Sequence, residues 1–175
     1  SEMCIRDRVK KFYVEKVMLI NSKKKIFTDK NLFNFLYCPI IYSLFPDARI
    51  IHCTRNPLDN ILSIYRTNFL NQSFSSSLKD TTDLYLYHLK LMHEYKSKYG
   101  SMIYNYDHDN VVQNPRETIK NLINWLDWEW SEKYISPQKS KRSVFTASSA
   151  QVRKKINTHS SGYWKNYEDF LKPVS

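Results

Sequence analysis

Glycine is almost absent from this chain. Among 175 residues there are two, Gly100 and Gly162. A Walker-type loop or a GxGxxG turn needs several glycines close together, so that backbone N–H groups can approach a phosphate. Neither loop fits this sequence. A phosphate bound here must be held by arginines, hydroxyls and helix N-termini. Cysteine is scarce too. Cys4, Cys38 and Cys53 are odd in number and form no CxxC pair, which points to a reducing compartment and a cytoplasmic location. The five histidines lack zinc spacing, and His88 and His93 would splay on a helix, so no metal is expected. No apolar run approaches the roughly 18 residues of a membrane helix. The longest, Leu36 to Ile41, contains Pro39. With early charges at Glu2, Arg6, Asp7 and Arg8 and no small-residue cleavage site after them, the start does not resemble a signal peptide. No membrane partner is expected.

What is present argues for one domain with a real core, spanning 1–175. The chain is 42% hydrophobic and 15% aromatic, too rich for disorder. Its formal net charge is +10. Such chains bind nucleic acid, acidic surfaces or phosphate-rich small molecules. Basic runs at Lys23-Lys24-Lys25 and Lys139 to Arg142 fit a solvated face equally well.

Helical spacing marks residues 8–20, and Lys25 to Thr28 reads as a short strand. Asn31 to Phe45 has a helical pattern that Pro39 should kink or break. Ala48 to Cys53 is apolar on both faces, as in a buried strand of a parallel sheet. A helix then opens at Pro57 with Asn56 as its cap. Leu58, Leu62, Tyr65 and Phe69 mark one of its faces. Thr82 to Tyr99 is a second helix, closed by Gly100. Met102 to Tyr106 reads as another strand, and Asn114-Pro115-Arg116-Glu117 opens a third helix striped by Ile119, Leu122, Ile123 and Leu126. Beyond Trp130 the pattern is irregular and basic. Strands alternating with helices make this an α/β fold with a mainly parallel sheet flanked by helices.

The segment Phe45 to Phe69 carries the sharpest chemistry. Arg55 leaves the carboxyl end of a strand, where open α/β sheets bind ligands. Its guanidinium can clasp a phosphate bidentately, the following helix offers N–H groups, and Ser63 can add a hydrogen bond. A purely structural reading pairs Arg55 with Asp59 and lets Ser63 satisfy its own helix.

This stretch resembles the 3'-phosphate-binding motif of sulfotransferases, in which a serine follows a strand-end arginine by eight residues, as Ser63 follows Arg55. Within that family it is most similar to bacterial members associated with tetratricopeptide repeats, relatives of tyrosylprotein sulfotransferase. Three more segments match in order. Phe27-Thr28-Asp29-Lys30 resembles the strand whose lysine polarises the sulfuryl group, which implies that role for Lys30. Thr146 to Arg153, continuing to Asn157 and Ser160 to Tyr167, resembles the late loop over the nucleotide. Carried over, Ser148 lies near the sulfuryl group, while Gln151, Val152, Arg153, Lys154 and Asn157 line the nucleotide and Trp164 packs. Ile103 to Pro115 resembles the Tyr-Glu-x-Leu-Val segment, with His108 and Asp109 in place of Tyr and Glu.

The resemblance covers residues 25–173; residues 1–24 have no clear assignment. It implies a P-loop NTPase-like sulfotransferase fold and transfer of a sulfuryl group from 3'-phosphoadenosine 5'-phosphosulfate to a hydroxyl or amine, without a metal. The acceptor could be a protein tyrosine, a sugar or a small molecule. The family's first strand, its 5'-phosphosulfate loop and its general base have no counterpart, so the chain reads as an N-terminally truncated fragment, inactive alone. The competing reading is a basic nucleic-acid-binding module with aromatics for base stacking. It is weaker, because most aromatics fall on apolar helical stripes.

Overall fold

The computed structural model describes residues 2–21, 26–67, 69, 72–139, 156 and 161–174. The chain opens with helix α1 (Glu2–Asn21). Most of its apolar side chains stay in solvent, including Ile5, Val9, Phe12 and Leu19. Arg6 donates to the Ser43 carbonyl, and the Tyr13 ring meets Phe45 at 5.4 Å. The strand expected at 25–28 does not form among the described residues. Residues 26–30 are exposed, irregular chain. Two apolar residues, Ile26 and Phe27, cannot make a strand without a neighbouring ladder, and the described sheet offers them none. The helical pattern of Asn31 to Phe45 breaks just before Pro39, as expected: a 3-10 helix, Asn34–Tyr37, ends where α2 (Cys38–Leu44) begins. Pro39 stands in the first turn of α2, where its missing N–H costs nothing.

Strand β1 (Ile50–Thr54) pairs in parallel with β2 (Ile103–Asp107), Ile50 opposite Ile103 and Thr54 opposite Asp107. The crossover between them is α3 (Pro57–Thr67) followed by α4 (Leu78–Tyr99). Ser77 caps α4 by accepting the Asp80 N–H at 3.0 Å, so this helix starts four residues earlier than its periodicity suggests. Gly100 follows it at φ 53°, a backbone angle that favours glycine. After β2 come α5 (His108–Gln113), α6 (Pro115–Trp125) and, near the end, α7 (Glu168–Leu171).

Each face of the sheet has its own core. On one, Phe35, Cys38, Tyr42, Met92 and Ile103 pack together with Ile50 at their margin. On the other, Val111, Ile119 and Ile123 gather Tyr106, Trp128 and Ile156. The second core covers β2 but not β1. Ile51 is 38% exposed and Cys53 is exposed, although the run Ala48 to Cys53 suggests burial on both faces. The cause is positional: α6 packs behind Tyr104, whose ring meets Trp125 at 5.2 Å, and does not reach β1's outward residues.

A histidine pair locks α4 to β1. His52 Nε2 and His88 Nε2 lie 3.1 Å apart, and the Phe35 ring stands edge-on to His88 at 5.0 Å. Burial and the neighbouring His52 push the His88 pKa down to about 4. The unfolded chain takes up that proton near 6.5 and so binds more protons between these values. Stability from His88 is therefore complete above about pH 6.5 and falls as pH drops towards about 4. Urea midpoints at neutral and mildly acid pH should show this loss, and His88→Gln should shrink it. An unchanged pH dependence in the variant would remove the histidine pair as its cause.

Candidate functional site

The carboxyl ends of both strands lead directly into helix N-termini. Arg55 and Asn56 make the turn from β1 into α3. Asn56 Oδ1 accepts the Asp59 N–H at 3.2 Å, the cap that its side chain and Pro57 together suggest. The Arg55 side chain is only 20% exposed, with Nη2 4.0 Å from an Asp59 carboxylate oxygen. Its carbonyl accepts from the Tyr85 hydroxyl at 3.5 Å.

Strand β2 ends in the same manner. The Asp107 carboxylate caps α5 by accepting the Asp109 N–H at 2.8 Å. His108 is the first residue of that helix, and its buried Nδ1 has no hydrogen-bond partner among the described residues. Burial lowers the His108 pKa, and the Arg55 charge lowers it further against the opposing pull of Asp109 and Asp107. A neutral imidazole thus stands near the Arg55 guanidinium at the strand ends.

Two carboxylates close this site from the far end of the chain. Asp109 accepts the Asn56 N–H at 2.7 Å and the Ser161 hydroxyl at 2.8 Å. Asp59, whose side chain is fully buried, accepts the Gly162 N–H at 2.6 Å and the Trp164 N–H at 2.8 Å. Gly162 has φ 73°, the left-handed conformation that glycine adopts without strain. Packing then extends the seam along α3. Arg66 lies over the Tyr163 and Tyr167 rings at 5.2 and 5.7 Å. Tyr65 meets Phe170 at 5.6 Å, and Leu171 is 0% exposed.

The residues singled out by sequence fall into three groups. Arg55 stands at the strand end as expected. Ser63 is exposed on α3. Lys30 is also exposed. Ser148, Gln151, Val152, Arg153, Lys154 and Asn157 lie outside the described residues. Among the described residues no three His, Cys, Asp or Glu side chains are grouped to hold a metal, and no helix is long and apolar enough to cross a membrane.

Sequence reasoning missed Asp109, Ser161 and Gly162 as site-building groups, and it saw Asp59 only as a partner of Arg55. A carboxylate in a first helical turn ordinarily signals dipole compensation. Nothing local marks it as the acceptor for backbone more than a hundred residues away. The hints were Gly162, one of two glycines in the chain, and the resemblance, which placed Asp109 and Ser160 to Tyr167 in matching segments.

A parallel sheet with helices packed on it, and a largely buried arginine at its carboxyl edge, defines an open α/β domain. A family model described as "Sulfotransferase family" matches residues 2–132. The chain belongs to the sulfotransferase family. It is 32% identical to an uncharacterized protein of Aquifex aeolicus (strain VF5) over 167 residues, which are 93% of this chain and 22% of that protein. In structure it is similar to the sulfotransferase domain from the curacin biosynthetic pathway, with a TM-score of 0.64 and 14% identity, over 93% of this chain and 61% of that domain. The chain thus spans about a fifth of the Aquifex protein's length.

Proposed function

We propose that the protein carrying these residues transfers a sulfuryl group from 3'-phosphoadenosine 5'-phosphosulfate to a hydroxyl or amine. The observation behind this is Arg55, held at the end of β1 against the opening turn of α3 with its guanidinium partly open to solvent. A phosphate monoester suits this setting, because a guanidinium fork and helix N–H groups both favour a compact dianion. In this reading Arg55 and Ser63 hold the donor's 3'-phosphate. Gln151, Val152, Arg153, Lys154 and Asn157 line the nucleotide.

The acceptor's lone pair attacks sulfur in line. The bond from sulfur to the 5'-phosphate oxygen breaks, and adenosine 3',5'-bisphosphate leaves with that electron pair. The acceptor proton passes to a base or to solvent. Negative charge builds on the bridging and equatorial oxygens, where Lys30 and Ser148 stabilise it more than in the ground state. Binding of the remote 3'-phosphate helps to position the reacting end.

The test is thermal unfolding of the longest natural chain that carries these residues. Adenosine 3',5'-bisphosphate should protect it by mass action on the native state, by about 2.7 kcal/mol at a hundred times Kd. Adenosine 5'-monophosphate at equal concentration should protect far less. Equal protection by the two nucleotides would remove the 3'-phosphate site and this reading with it.

A further inference from the structure

Asp59 is the most deeply enclosed charge beside the site. Its side chain is fully buried, whereas that of Arg55 is 20% exposed. A buried carboxylate is tolerated only when donors satisfy its oxygens. Two of its donors are the backbone N–H groups of Gly162 and Trp164, at 2.6 and 2.8 Å. Backbone donors cannot swing away as side chains do, so they fix where the carboxylate sits. Arg55 Nη2 approaches the same oxygen that Gly162 engages, at 4.0 Å. That is close enough for strong attraction in a half-buried setting, yet beyond hydrogen-bond length.

We propose that Asp59 is a positioning residue for Arg55, and that through it the turn at 161–164 becomes part of the scaffold of the anion site. The turn fixes the carboxylate, and the carboxylate draws the guanidinium to the strand end. The purely structural pairing of Arg55 with Asp59 and the ligand-binding reading of Arg55 are then compatible. Asp109 serves as an internal comparison. It anchors the same turn through Ser161 but bonds the Asn56 N–H, so it secures the segment without aiming the arginine.

This inference rests on the 3'-phosphate reading above, and the experiment separates the two. Affinities for adenosine 3',5'-bisphosphate and adenosine 5'-monophosphate are measured by calorimetry on the longest natural chain, as wild type, Asp59→Asn and Leu171→Ala. Absence of any bisphosphate preference in the wild type defeats the underlying reading. If the wild type discriminates, Asp59→Asn should lower the ratio of the two affinities by about tenfold, the scale of a lost charge-assisted alignment. Leu171→Ala, a packing change outside the site, should lower thermal stability while leaving the ratio near wild type. Equal losses for both nucleotides in Asp59→Asn, or an equal fall of the ratio in Leu171→Ala, would mean that Asp59 only holds the fold. If Asp59→Asn does not fold, the ratio is read on Asp59→Glu, which keeps the charge but displaces the carboxylate by one methylene. A wild-type ratio there overturns the proposal; a reduced ratio supports it.

Discussion

Replacing Arg55 with alanine weakens binding of adenosine 3',5'-bisphosphate by about 2 kcal/mol or more, roughly 30-fold, as expected for losing a charge-assisted fork. Binding of adenosine 5'-monophosphate should barely change. The size of the effect follows from the setting of the side chain. Arg55 is four-fifths shielded from water, and its carboxylate neighbour is fully buried. A partly desolvated cation attracts an anion more strongly than a surface one does. The alanine variant also leaves Asp59 without its cation, but the Gly162 and Trp164 N–H groups still hold that carboxylate. The fold should therefore survive, which circular dichroism can check before titration. Equal losses for both nucleotides would show that Arg55 supports structure and does not read the 3'-phosphate.

Leu171→Ala should destabilise the protein by about 3 kcal/mol, in the range for emptying a fully buried leucine site. Leu171 belongs to a helix of only four residues, too short to persist without packing. It is 0% exposed, while its neighbour Phe170 is 47% exposed and Asp169 is open to solvent. The docking of this short helix thus depends on very few side chains. Urea unfolding should show the loss as a lower midpoint with little change in slope. A midpoint within error of wild type would mean that the end of the chain is held by Asp59 and Asp109 alone.

What was legible in the sequence was local. Asn56-Pro57 marked the start of α3, and Ile50–Thr54 and Ile103–Asp107 fall within a residue or two of their patterned runs. Ile119 and Ile123 are buried on α6 as their spacing indicates. The strand end at Arg55 followed from these elements, and the family from the spacing of Lys30, Arg55 and Ser63. The failures were tertiary. The strand at 25–28 needed a ladder that no local pattern supplies. The outward face of β1 is open because of where α6 sits, which is a matter of helix placement and not of β-propensity. The Asp59 clasp depends on two backbone donors, and backbone N–H groups look alike at every position of a sequence.

That clasp also sets an order of events at the ribosome. Gly162 lies 103 residues after Asp59. At about 5–20 residues per second of synthesis, β1, α3 and Arg55 leave the ribosome roughly 5–20 s before the turn that anchors Asp59. During that interval the carboxylate has water, and not the Gly162 and Trp164 N–H groups, as its solvent. The end of the domain around Arg55 is therefore among the last parts to mature, and a nascent chain stalled before residue 161 should carry Asp59 without these backbone donors.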